Sequence, residues 1–185
     1  AGSCSVYGDA PPPISEDAPT SPTSPYAAAK LRAEELCRAF ARENRLETAC
    51  PRFFNVYGPR QRADSPYAGV IAIFASMAAR GEAPVIFGSG EQTRDFIHVS
   101  DVVGGLLQAA IAHEVGDGRA INLGSERPTS ILELASLLGC DPPRHEPARK
   151  GEIMHSQADA SLAKHLLGFR CLVDLKSGLK DRALT

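Results

Sequence analysis

At 185 residues the chain is one ordinary domain or two small ones, and 43% apolar against 23% charged residues is enough to bury a core. A net charge of −2 gives no electrostatic reason to expect nucleic acid or an anionic membrane as a partner. No apolar run approaches the ~18 residues that cross a bilayer, and no export leader is expected. The five cysteines (Cys4, Cys37, Cys50, Cys140, Cys171) never form a C-x-x-C pair, so they read as reduced thiols of a cytoplasmic protein. The five histidines fall in no ligand spacing, and no metal site is expected.

In chain order, Ser3 to Tyr7 reads as the end of a strand. Pro11 to Pro25 is a proline-rich polar loop, which can be neither helix nor central strand. Ser24 before Pro25 is a helix cap followed by proline at the first helical position. The helix expected there runs to Glu43, with Leu31, Leu36, Phe40 and small alanines facing inward. Thr48 to Phe54 reads as a buried strand ending at Asn55-Val56-Tyr57-Gly58-Pro59, followed by a polar loop. Val70 to Ala79 is a helix stopped by Gly81, and Pro84 to Phe87 a short strand closed by Gly88-Ser89-Gly90. Arg94 to Val99 alternates, and Ser100-Asp101 caps a helix to His113. Ala120 to Leu123 is a strand, and Thr129 caps a helix to Leu138. A loop from Arg144 to Gly151 leads to two short helices, Ala160 to Leu167 and Leu175 to Leu184. Strands alternating with helices give an α/β fold class.

The chemistry-bearing residues begin with Ser3 and the pair Tyr26 and Lys30, four apart. One helical turn puts a phenol and an ammonium on the same face. A phenol with an ordinary pKa of about 10 is no base near neutrality, but a neighbouring cation favours the phenolate. A serine hydroxyl nearby can relay a proton or steady a substrate oxygen. Taken singly, each residue has a plain structural alternative. Tyr26 could be an aromatic at a helix start, Lys30 a solvated charge and Ser3 a strand-end hydroxyl. Asn55 could make a turn, Arg94 and Arg149 could be surface ion pairs, and Phe87 could be core.

The motifs Ser3-Cys4-Ser5-Val6-Tyr7-Gly8, Tyr26-x-x-x-Lys30, Arg52-Phe53-Phe54-Asn55-Val56-Tyr57-Gly58-Pro59 and Arg94-Asp95-Phe96-Ile97-His98-Val99-x-Asp101 occur in that order. Together they resemble the extended short-chain dehydrogenases, specifically the nucleotide-sugar epimerases and dehydratases, and within them the UDP-glucose and UDP-N-acetylglucosamine 4-epimerases. The resemblance runs from Ser3 to about Leu184. It implies a fold that is the C-terminal part of a Rossmann-like, doubly wound parallel sheet plus a small α/β substrate-binding domain. Residues 1–59 would belong to the dinucleotide-binding domain and 60–185 mainly to the sugar-nucleotide domain, with about 92–115 returning to the sheet.

The resemblance also implies roles. Tyr26 would take the proton of the sugar 4-hydroxyl while the hydride passes to NAD. Lys30 would support the phenolate and bind the nicotinamide ribose, Ser3 would hydrogen-bond the sugar oxygen, and Phe54 would lie on the cofactor side. Asn55, Arg94, Arg149 and Glu152 would hold the diphosphate and ribose of a UDP-sugar, with bidentate guanidinium contacts suited to phosphate. Val70 would pack on the nucleotide and Phe87 lie beside the uracil. Ser156, small where glucose-only epimerases carry a bulky residue, would admit an N-acetyl group. A homodimer through a bundle containing the tyrosine helix is expected of the full enzyme.

Two features refine this reading. Cys4 and Ser5 stand where sugar 4,6-dehydratases and a decarboxylase branch carry acidic residues, which favours simple epimerisation. No G-x-x-G-x-x-G or G-x-G-x-x-G turn occurs, although such a turn holds the dinucleotide pyrophosphate at a helix N-terminus. The chain is therefore expected to be the C-terminal portion of an epimerase, inactive alone and with an exposed sheet edge. The alternatives are a non-catalytic remnant with weak nucleotide-sugar binding and, among enzymes, a nucleotide-sugar dehydratase.

Overall fold

The computed structural model describes residues 1–43, 46–65, 68–140 and 142–180. In chain order its elements are β1 (Gly2–Ser3), a 3-10 turn (Cys4–Tyr7), α1 (Pro25–Arg42), β2 (Thr48–Phe53), β3 (Asn55–Tyr57), α2 (Val70–Ala79), β4 (Val85–Phe87) and β5 (Thr93–His98). There follow α3 (Val99–Ile111), β6 (Asp117–Leu123), β7 (Pro128–Ser130), α4 (Ile131–Leu137), β8 (Arg144–Glu146), α5 (Ser161–Leu167) and α6 (Leu175–Gly178).

The main sheet has the order β1-β2-β6, every pair parallel. Parallel neighbours need crossover connections, and α1 and α3 lie on the two that join these strands. Side chains alternate along β2. Arg52 reaches Glu34 of α1 on one face, while Ala49 and Phe53 pack with Val102 of α3, Ile121, Leu123 and Ala163 on the other. The sheet is thus covered on both faces, as a parallel sheet requires. A second sheet, β3-β5-β7, pairs β3 with β5 in parallel and β5 with β7 antiparallel, and β4 pairs in parallel with β8.

Three apolar clusters hold these layers. One centres on Ile97, Ile121 and Leu123 under α3 and α5, and a second on Ile71, Phe74, Ile86 and Leu134 between α2 and α4. The third joins Val6, Tyr7 and Phe54 to Ile14 and Ala158. Each fully buried aliphatic side chain contributes roughly 1.5–3 kcal/mol through its removal from water.

Helix α1 starts as its sequence dictates, with Ser24 Oγ accepting from the Ala27 N–H at 3.1 Å and proline in the first turn. Its inward side mixes small and large residues (Ala27, Leu31, Glu34, Cys37, Arg38, Ala41), and Ala28, Ala29, Ala33 and Ala39, expected to face inward, are exposed. Ala27 and Glu34 are buried, whereas Leu36 and Phe40 are about half exposed, contrary to the inward placement expected of them. Leu31 does pack on the third cluster. The approach is close enough that a Cβ at Gly118, where φ is +81°, would lie 2.5 Å from the Arg38 backbone.

Other expectations also need correction. Ser3 to Tyr7 is a strand only as far as Ser3, because Ser3 Oγ accepts the Ser5 N–H and caps a 3-10 turn instead. The cap of α3 is His98, two residues ahead of the expected Ser100, and that of α4 is Ser130, one residue after the expected Thr129. Arg144 to Glu146, expected as loop, form strand β8. The end of the last expected helix, residues 181–184, lies outside the described residues.

Candidate active site

Ser3 stands at the C-terminal end of β1, and its Oγ accepts from both the Ser5 N–H (3.2 Å) and the Ser5 hydroxyl (2.9 Å). With both lone pairs engaged, the Ser3 hydroxyl keeps its own O–H as a donor. Tyr26 and Lys30 occupy the first turns of α1, which packs against β1 and the 3-10 turn. The Lys30 Nζ lies 5.7 Å from the Tyr26 ring centroid and donates to the Ala1 carbonyl at 3.0 Å. Tyr26 is 48% exposed.

The residue after Ser3 is chemically silent. Burial pushes the Cys4 thiol up to about 12, with the Asp95 carboxylate adding to the rise and the Arg94 guanidinium opposing it. A neutral thiol at that position offers no acid-base group near neutrality. The same influences place Cys4 within electrostatic reach of Arg94, so the turn that follows Ser3 adjoins the arginine side of the site.

On that side several expected residues meet. Arg94 Nη2 donates to Glu152 Oε1 at 3.3 Å, and Arg94 Nη1 to the Thr93 carbonyl at 2.8 Å. Burial pulls the Arg94 guanidinium below its ordinary value, against the opposing pull of Glu152, yet arginine remains charged. The Arg149 guanidinium lies 3.7 Å from the Phe87 ring centroid, a cation–π contact at the end of β4. Gln92, unmarked in the sequence reading, ties the two pairs together: its buried amide donates to the Phe87 carbonyl (2.9 Å) and to Glu152 Oε1 (3.4 Å).

The remaining expected residues are placed as follows. Asn55 begins β3, opposite Phe96 of β5, and its buried Oδ1 has no hydrogen-bond partner among the described residues. Ser156 is buried within the segment 154–158, in which the Met154 carbonyl accepts from the Thr93 N–H and the Ala158 N–H donates to Asp95 Oδ2. Val70 opens α2 and packs on the second apolar cluster rather than standing free. The Phe54 ring is 3% exposed within the third cluster and offers almost no surface to a cofactor.

Asp95 is a structural residue that the motif contained without disclosing its purpose. Its Oδ1 accepts from the Ser125 N–H (2.7 Å) and hydroxyl (2.6 Å), and its Oδ2 from the Glu126 N–H (3.0 Å) and the Ala158 N–H (2.9 Å). One buried carboxylate thus joins β5 to two loops and fixes the neighbourhood of Arg94 and Ser156. A surface groove of about 290 Å³, lined by Thr48, Pro51, Leu106 and Ala109, holds none of the site residues. Among the described residues no helix is long and apolar enough to cross a membrane, and no group of three His, Cys, Asp or Glu could hold a metal ion.

A parallel sheet wound with helices, a Ser–Tyr–Lys set at the end of β1 and the start of α1, and the network of Arg94, Glu152, Gln92, Phe87 and Arg149 define the class of the α/β dehydrogenase-like folds. Within that class, the chain belongs to the NAD dependent epimerase/dehydratase family, whose model matches residues 1–124. It is 38% identical over 181 residues to a UDP-glucose 4-epimerase of Mycolicibacterium smegmatis, covering 95% of this chain and 57% of that protein. The crystal structure of UDP-glucose 4-epimerase with UDP-glucose from Thermotoga maritima superposes with a TM-score of 0.89 at 38% identity, covering 99% of this chain and 60% of the other. UDP-glucuronic acid 4-epimerase from Bacillus cereus, in complex with NAD, superposes with a TM-score of 0.86 at 31% identity, covering 98% and 58%. The chain therefore spans less than two thirds of the length of these relatives.

Proposed function

We propose that this chain carries the catalytic and sugar-nucleotide portion of an NAD-dependent 4-epimerase acting on a UDP-sugar, with UDP-glucose/galactose or the N-acetylglucosamine/galactosamine pair as substrate. The observation that carries this reading is the half-exposed Tyr26 phenol with Lys30 one turn away, on a helix packed against the Ser3 turn. The division into residues 1–59 on the dinucleotide side and 60–185 on the sugar-nucleotide side belongs to the same reading. So does a glycine-rich pyrophosphate turn supplied outside these 185 residues.

The donor set suits NAD. Lys30 spends one of its three N–H donors on the Ala1 carbonyl and keeps two for ribose hydroxyls. When bound, NAD supplies a two-electron acceptor and donor for the hydrogen on the sugar carbon. Tyr26, as phenolate beside the Lys30 ammonium, takes the proton of the 4-hydroxyl. Ser3 donates its free O–H to the same oxygen and holds it at the phenol. Tyr26 keeps the proton while the 4-keto sugar exchanges faces, then returns it. Arg94 and Arg149 neutralise the diphosphate, Asn55 and Glu152 hold the nucleotide, and Phe87 flanks the base. The silent Cys4 favours epimerisation over dehydration or decarboxylation, which need a further acid-base group.

Ser156 leaves room for an N-acetyl group, and the half-exposed Leu36 and Phe40 support a homodimer built through α1. The reaction is placed in the cytoplasm. The test is the complete polypeptide with NAD and UDP-glucose, followed by the appearance of UDP-galactose. No interconversion of that pair or of the N-acetylated pair would sink the reading.

A further inference from the structure

Behind the candidate active site lies a buried charge pair that the mechanism does not use. Arg52 on β2 and Glu34 on α1 are 3% and 2% exposed. Arg52 Nε donates to both Glu34 oxygens at 3.1 Å, and Nη2 donates to Oε2 at 2.7 Å. Burial alone pulls the guanidinium down, but Glu34 and Tyr7 together outweigh it and the net movement is upward.

The pair touches every element that carries a catalytic side chain. Glu34 lies one helical turn beyond Lys30, on the helix of Tyr26. A Cβ on Gly2, the neighbour of Ser3, would stand 2.7 Å from Glu34 Oε1 and 3.2 Å from Arg52 Cγ, so only glycine lets the carboxylate come this close to β1. The Arg52 guanidinium stacks over the Tyr7 ring at 4.7 Å, and Tyr7 closes the 3-10 turn that Ser3 opens. Tyr7 is itself fixed, its hydroxyl donating to Asn122 Oδ1 at 2.7 Å, and burial pushes its phenol up to about 12. The third guanidinium nitrogen, Nη1, has no hydrogen-bond partner among the described residues.

A buried ion pair is poor evidence for stability, because apolar residues of similar volume commonly serve as well or better. Its value lies in direction. A planar fork on a carboxylate fixes distance and angle at once, which interchangeable apolar contacts do not. We propose that the buried Arg52–Glu34 pair is a positioning device that sets the Tyr26–Lys30 helix in register with Ser3, and this rests on the epimerase reading above. Misplacement of reacting groups by ~1 Å can cost on the order of 100-fold in rate, so the pair acts on turnover rather than on binding.

The experiment is the apolar exchange E34L/R52M in the complete polypeptide, beside wild type and R52K. The expected result is a melting temperature within a few degrees of wild type, kcat reduced about 10-fold or more, and KM for UDP-glucose within about twofold. R52K, which keeps the charge but loses the fork and the stacking, falls between. A purely structural role would move stability and activity together, so a folded apolar exchange with kcat within about twofold of wild type overturns the proposal. If the exchange does not fold, R52K decides: wild-type kcat in a cooperatively folded R52K overturns it equally. If wild type itself converts no UDP-sugar, the epimerase reading fails and the crystal structure of E34L/R52M judges the positioning. Loss of the Lys30–Ala1 contact supports the device, and its retention at 3.0 Å overturns it.

Discussion

The two sides of the candidate site are held in different ways. On the sugar-nucleotide side, Arg94, Glu152, Gln92, Phe87 and Arg149 brace one another through their own side chains, and Asp95 anchors the loops behind them. On the catalytic side, Tyr26 and Lys30 take their places from the backbone of α1, which is buried at Ala27 and Glu34 while the phenol stays half exposed. Groups that must grip a diphosphate gain from being ordered beforehand, because little side-chain entropy is then lost on binding. A group that must exchange a proton needs access more than bracing. On the epimerase reading proposed above, the chemistry belongs to a half-exposed side chain on a fixed helix and the affinity to a closed network of side chains.

That contrast can be broken at either end. The largest expected effect is on the catalytic side: Tyr26→Phe removes the phenol oxygen and should lower kcat by about 1,000-fold, leaving the dissociation constant for UDP-glucose within about threefold by calorimetry. Comparable turnover in this variant would remove Tyr26 from its role. Behind the clamp, Asp95→Asn turns an amide N–H₂ toward groups that are themselves donors, and should cost roughly 3 kcal/mol in urea unfolding. A loss below about 1 kcal/mol would show that the Asp95 network is not what holds the two loops. Arg94→Ala should weaken UDP-glucose binding by about 10- to 100-fold, leaving Glu152 short of its cation. A larger fall in kcat than in affinity would erase the division of labour between the two sides.

Much of this arrangement was legible in the chain. The Ser24-Pro25 start, the alanine-rich run after it and the four-residue spacing of Tyr26 and Lys30 are local features, and local features declare themselves. The inward placement of Leu36 and Phe40 failed because the face of α1 that meets the sheet runs through Ala27, Leu31, Glu34, Cys37, Arg38 and Ala41, and Leu36 and Phe40 lie off that face. Strand β8 escaped because Arg144, His145 and Glu146 are all exposed at a sheet edge, leaving no alternation to detect. Gln92 meets Glu152 across 60 positions, and Arg52 meets Glu34 across 18. Contacts of that separation leave no periodic trace, and a glutamate one turn past a lysine reads as a solvated charge until the fold buries it.

The smallest expected effect concerns Ser5, which the motif marks only by its lack of a carboxylate. Its backbone N–H donates to the capping Ser3 Oγ whatever the side chain, so Ser5→Ala removes only the 2.9 Å hydroxyl bond and leaves the turn intact. Ser3 Oγ then regains a free lone pair, and its O–H is less restricted in direction. One neutral hydrogen bond of this kind is worth about 1 kcal/mol, which corresponds to a fall of about fivefold in kcat with KM and melting temperature unchanged. Ser5→Thr keeps the hydroxyl and should restore the rate, whereas Ser5→Val matches threonine in size without it and should not. Equal rates for Thr and Val would mean that the hydroxyl does not orient Ser3, and that the 3-10 turn alone sets the serine in place.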